Sequence, residues 1–151
     1  MNSTTNEIRI KQGYGTLFFG ITIDAAVGIL GKPDEIEELE GLEDDVSMAY
    51  IYENNHLIAF FEGMENKILT ILETRDPEST LFGEKIFNKD ELQIHELMKN
   101  NGFQELDTEI LSWGGKRMTF EDANVDFYFE NNKLTSVNWG VLLSPADFGT
   151  N

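Results

Sequence analysis

The sequence predicts an α+β fold, two tandem helix-plus-antiparallel-sheet units packed as one compact body, and three observations carry that expectation. Two segments have helix-capping residues and a helical apolar period, each is followed by period-two strands, and one hairpin sequence occurs twice. The first unit spans 1–87 and includes an N-terminal strand; the second spans 88–151.

In the first unit, Glu7-Ile8-Arg9-Ile10 alternates like a short strand, and Gly13, Gly15 and Gly20 then surround the apolar Leu17-Phe18-Phe19. These glycines match neither the dinucleotide nor the phosphate-loop spacing, because Phe18 stands where a third glycine would be needed. A helix of about two turns follows. Thr22 is its N-cap, Asp24 meets the positive dipole end, Ile23, Val27 and Leu30 form the apolar stripe, and Gly31 and Pro33 stop it. Strands are expected over 47–52, 57–62 and 67–74, the first two joined at Asn54-Asn55, where asparagine tolerates the positive φ of a tight turn.

The second unit starts with a helix capped by Asn88 or Asp90 that runs to Asn100, with Ile94, Leu97 and Met98 facing inward and Gly102 ending it. Four strands follow, over 105–113, 116–120, 125–130 and 134–140, broken at Gly114-Gly115, at 121–124 and at Asn131-Asn132. Tyr50-Ile51-Tyr52-Glu53-Asn54-Asn55-His56-Leu57 aligns with Phe127-Tyr128-Phe129-Glu130-Asn131-Asn132-Lys133-Leu134, and Gly63 then meets Gly140 at the same offset. This reads as an internal repeat, or as good hairpin chemistry reached twice.

Composition narrows the function. The chain has 151 residues and is 40% hydrophobic, enough for a buried core, and its 28 acidic and 11 basic side chains give a net charge of −17. Such a field repels nucleic acid and anionic lipid and attracts basic partners. With no cysteine, thiol metal sites, thiol nucleophiles and disulfides are excluded. No apolar run is long enough to span a bilayer and no basic leader precedes one, so the expected setting is cytoplasmic and away from membranes. His56 and His95 are the only histidines, no nucleophile or metal motif stands near either, and no catalytic, cofactor or metal residue is assigned.

A helix ending in Leu30-Gly31-Lys32-Pro33-Asp34 after Gly20 and Thr22, with two Glu-Asn-Asn hairpins, resembles the tandem architecture of β-lactamase-inhibitor-protein-like proteins and of the small outer-membrane assembly lipoproteins. The general build, small and acidic, also resembles bacterial toxin-immunity proteins. The inhibitor resemblance implies a protein without catalysis that meets its partner through an exposed sheet face. This chain lacks the cysteines of those inhibitors and the lipobox cysteine of the lipoproteins.

Regular hairpin pairing sets Tyr52 opposite Leu57, Tyr50 opposite Ala59, Phe129 opposite Leu134 and Phe127 opposite Ser136, which is the expected core face. The opposite face then holds Ile51, Ile58 and Phe60 in one unit and Asp126, Tyr128, Thr135, Val137 and Trp139 in the other. Exposed apolar and aromatic groups of this kind mark interfaces. Ile51, Ile58, Phe60, Tyr128, Val137 and Trp139 are therefore the expected partner-binding residues, unless the N-terminal segment or a second copy covers them. Residues 34–45 carry acids and no base; they read as a solvated loop or helix face, or as a strip, including Asp44 and Asp45, that steers a basic protein. The expected function is a non-catalytic, inhibitory or immunity-like binder of a basic protein. The alternatives are a self-associating module that forms a homodimer, a small-ligand binder or an enzyme.

Overall fold

Antiparallel pairing dominates the computed structural model, which describes residues 6–40, 46–63, 66–104 and 106–141. Three short strands, β1 (Glu7–Arg9), β2 (Gly13–Tyr14) and β3 (Leu17–Phe18), lead into helix α1 (Ile23–Leu30). The strands β4 (Glu35–Glu40), β5 (Val46–Tyr52), β6 (Leu57–Glu62) and β7 (Ile68–Thr74) follow. Two further short strands, β8 (Thr80–Leu81) and β9 (Glu84–Lys85), precede helix α2 (Glu91–Asn100). The order ends with β10 (Leu106–Ile110), β11 (Lys116–Phe120), β12 (Val125–Glu130) and β13 (Lys133–Gly140).

Local chemistry accounts for both helices. Thr22 Oγ1 accepts the Ala25 N–H at 3.2 Å, and the Gly31 N–H closes α1 on the Val27 carbonyl. At α2 the cap is Asp90 and reciprocal: its carboxylate accepts the Gln93 N–H while Gln93 Oε1 accepts the Asp90 N–H, each at 2.9 Å.

The α+β expectation is not met. The helices are only eight and ten residues long, and the described chain is mostly β. Nor do the two meanders close as separate helix-plus-sheet units: β13 pairs with β7, from Val137 opposite Thr74 to Gly140 opposite Ile71, and joins them into one eight-stranded sheet. Its order is β10-β11-β12-β13-β7-β6-β5-β4. The physical reason is that the last strand of each meander would otherwise leave a row of unpaired backbone groups, and each satisfies the other. A second sheet, β3-β2-β1-β8-β9, has strands of two or three residues, too short for periodicity to reveal.

The acidic segment departs from expectation as well. Glu35–Glu40 is neither loop nor helix but the edge strand β4, paired with β5 from Glu35 opposite Ile51 to Glu40 opposite Val46. Backbone pairing overrides the weak strand preference of glutamate, and charge on the free edge discourages another strand from adding there. Asp44 and Asp45 lie outside the described residues.

The core lies between the large sheet and a layer made by the helices and the small sheet. Phe61, Leu72, Phe120, Phe127, Phe129 and Trp139 come from the large sheet, Ala26, Ile94 and Met98 from the helices, and Ile8, Tyr14 and Leu17 from the small sheet. Trp139 joins the two sheets. Its indole Nε1 donates to the Gly13 carbonyl at 3.0 Å, and its ring meets Tyr14 edge-on at 5.6 Å. Tyr14 Oη is in turn 2.9 Å from Ser79 Oγ, which is 2.9 Å from Thr74 Oγ1 at the end of β7. Gly13 is required there: its φ is +151°, and a Cβ would overlap the Leu17 carbonyl oxygen.

Replacing Trp139 by Phe keeps an aromatic ring but leaves the Gly13 carbonyl without its donor. The expected cost is about 1–3 kcal/mol of stability, read as a lower urea midpoint with unchanged slope. An unchanged midpoint would remove the indole hydrogen bond from the account of how the sheets are joined.

Candidate functional site on the outer sheet face

The face of the large sheet turned away from the core is the candidate site, and strand register defines it. One row of directly opposed residues crosses the sheet: Glu35, Ile51, Ile58, Glu73, Asn138, Asp126, Thr119 and Asp107. A second row runs Glu37, Ala49, Phe60 and Ile71, and a third runs Ser136, Tyr128, Arg117 and Glu109. Ile51, Ile58, Phe60 and Tyr128, four of the six sheet-face residues expected to bind a partner, thus share this face and are partly exposed.

Val137 and Trp139 do not. The register of β12 with β13 slips between Tyr128 and Phe129, so that Phe129 still faces Leu134 but Tyr128 faces Ser136, and Phe127 faces Val137 instead of Ser136. One inserted residue turns every later side chain of β13 over. Val137 and Trp139 consequently point inward, 0% and 1% exposed, and are corrected from anchors to core. A second slip, between Phe60 and Phe61, inserts its extra residue on β7, where Leu69 and Thr70 are buried in succession; β6 itself alternates without a break, so Phe60 stays on the outer face and Phe61 is buried.

The hairpin turns also differ from one another. Asn131 and Asn132 both have positive φ, as the tight turn demands, whereas in the first hairpin the left-handed residue is His56, at φ +51°. His56 is thereby carried to the outer face, beside Ile51 and Ile58.

Two hollows share the middle of this face. One, of about 320 Å³, is lined by Ile51, Tyr52, Glu53, His56, Leu57, Ile58, Glu73 and Arg75. The other, of about 290 Å³, is lined by Glu73, Arg75, Trp113, Tyr128, Glu130, Thr135 and Ser136. The ion pair between Arg75 Nε and Glu73 Oε2, at 3.2 Å, stands at their common border. Trp113 was not singled out from the sequence. It sits in the β10–β11 turn, 58% exposed, with its ring laid over Gly115, where a Cβ would collide with the indole. The adjacent Trp113-Gly114-Gly115 was the available signal, since a tight turn next to a bare glycine gives the ring a surface to lie on.

Charge on this face is mostly negative. Glu35 and Glu37 stand two residues apart on the same side of β4, and the Glu35 carboxyl titrates above the ordinary carboxylate range because it hydrogen-bonds to Glu37 and feels its charge. Burial pushes the Tyr128 hydroxyl above its ordinary value, Asp126 adds to the rise, and Arg117 opposes it. Lys116 pairs with Glu91 at 2.7 Å and Arg117 with Glu109 at 2.8 Å, so neither is a free cation. His95 packs against the Phe120 ring, and neither histidine forms an ion pair with a carboxylate among the described residues. No three metal-ligating side chains gather among those residues. No helix among them is long and apolar enough to cross a membrane.

No family model and no curated protein matches the chain. Among solved structures it is similar to an extracellular protein containing a SCP domain from Bacillus anthracis str. Ames, with 12% identity and a TM-score of 0.45. The match covers 83% of this chain and spans half the length of that protein.

The tyrosines make alkaline stability a test of these environments. Tyr14, Tyr52 and Tyr128 are all shifted upward, chiefly by burial, so the folded protein keeps phenolic protons that the unfolded chain releases. Their contribution is complete below the ordinary value near 10 and is lost as pH rises through the folded values. The urea midpoint should fall from about pH 10 upward, with a shallower fall in Tyr14→Phe; equal slopes would contradict the burial assigned to Tyr14.

Proposed function

We propose that this protein is a non-catalytic binder of a basic protein and that the outer sheet face is the surface it uses. The observation that carries the reading is the juxtaposition of partly exposed Ile51, Ile58 and Phe60 with the carboxylates of Glu35, Glu37 and Glu73 on one face. Apolar side chains supply area that gains from burial, and the surrounding carboxylates select a cationic partner and speed its approach. A lysine or arginine placed beside Glu35 and Glu37 would also relieve their mutual repulsion. Tyr128 and Trp113 extend the contact across the second hollow, and aromatic residues of this kind are frequent anchors. The net charge of −17 acts in the same direction over a longer range.

The test is affinity capture from the native lysate with wild type beside Ile58→Lys, followed by titration of the retained protein. Ile58→Lys sets a like charge against a basic partner and removes an apolar contact, and circular dichroism checks that the variant folds. A basic protein should be retained by wild type and bind the variant at least about tenfold more weakly. Equal binding by both, or no basic protein at all, overturns the reading. A mass that rises with concentration regardless of salt would instead favour the self-associating module.

The Glu35→Gln, Glu37→Gln double variant gives a separate prediction. Association should slow and lose part of its salt dependence while dissociation changes little, as stopped-flow mixing at several ionic strengths would show.

A further inference from the structure

On the side of the molecule away from the outer face, the small sheet, α1 and the β5–β6 turn enclose a cavity of about 260 Å³. Its apolar lining is Leu17, Ile29, Leu30 and Leu57, and its polar lining is Asn6, Tyr14, Thr16, Asn55 and Asp76. We propose that this cavity binds a small alkylammonium compound, a primary amine on a short aliphatic chain, with Asp76 receiving the ammonium and the four aliphatic residues holding the chain.

Charge points to that ligand class. Asp76 is the only charged residue of the lining and forms no ion pair among the described residues. Its sequence neighbour Arg75 lines the outer-face hollows and pairs with Glu73, so no cation among the described residues neutralises the cavity. An anion would meet a carboxylate with no counter-charge, and a neutral ligand would leave that carboxylate without a charged partner.

The carboxylate is also held in place. The Asp76 N–H donates to Thr74 Oγ1 at 3.1 Å, its carbonyl accepts the Ser79 N–H at 2.9 Å, and its Oδ1 accepts the Glu78 N–H at 2.9 Å. Thr74 and Ser79 belong to the same buried hydroxyl group as Tyr14, whose ring helps line the cavity. An ammonium therefore meets a fixed acceptor, with little ordering left to do on binding.

The apolar side explains an exposed isoleucine. Ile29 is 48% exposed on α1, and Leu17 and Leu57, at 1% and 2%, form the floor beneath it. A chain lying between Ile29 and that floor would cover the isoleucine. At about 260 Å³ the cavity lies just below the roughly 300–1,000 Å³ usual for ligand sites, which suits an occupant smaller than a typical drug-sized ligand.

The test is an amide chemical-shift titration of the full chain with n-butylammonium chloride at constant ionic strength, with n-butanol, butyrate and methylammonium as comparators. The expected result is saturable shifts centred on Asn6, Thr16, Asn55 and Asp76, with all three comparators at least about tenfold weaker. Asp76→Asn keeps an oxygen able to accept the Glu78 N–H and should weaken n-butylammonium about tenfold or more. Ile29→Ala, at an exposed position, should weaken it by about two- to fivefold. Shifts that never saturate or that spread over the acidic surface overturn the proposal. So does n-butanol binding as well as the amine, or Asp76→Asn binding like wild type.

Discussion

The Trp139 indole N–H reaching the Gly13 carbonyl is the contact on which the two-sheet arrangement depends. It joins the end of β13 to the turn that begins β2, and the Tyr14 ring that packs against it continues the connection through Ser79 to Thr74 on β7. The small sheet has strands too short to hold together on their own pairing alone. Anchored by one indole and one phenol, it becomes a lid over the core. Because Gly13 must approach the Leu17 carbonyl so closely, the anchor also requires a residue without a side chain.

Bulges then decide what the large sheet shows to solvent. A regular β12–β13 hairpin would place Trp139 outside, with its large apolar surface in water. The slip at Tyr128 exchanges it for Ser136 and Asn138, and leaves the outer face of the second meander polar. In the first meander the extra residue is Thr70 on β7, while β6 alternates regularly, so Phe61 lies inside and Phe60 and Ile71 remain outside next to each other. The outer face is therefore uneven, apolar towards β5, β6 and β7 and polar towards β11 and β12. The glutamates of β4 border its apolar half, which puts area and charge within reach of one partner.

Much of this was legible locally. Both caps, both helices, the β11 and β12 strands and the inward positions of Tyr52, Leu57, Phe127 and Phe129 follow from residue chemistry within a few positions. Ile51, Ile58, Phe60 and Tyr128 also follow from alternation, because no slip intervenes between them and the turn that sets their register, or because their own strand alternates. Trp113 escaped notice because its role comes from a turn folding over the sheet. The Asp76 cavity escaped because its lining is drawn from five separate stretches of chain.

By itself the sequence determined where helices start and stop, where most strands lie, and that the surface is strongly acidic, since capping, alternation and ionisation act over a few residues. Tertiary structure alone decided that the meanders fuse through β7 and β13, that Glu35–Glu40 pairs as a strand, and that Trp139 is core. Those outcomes depend on which distant backbone groups find partners and on a single-residue bulge whose effect reverses a face. No local pattern records either.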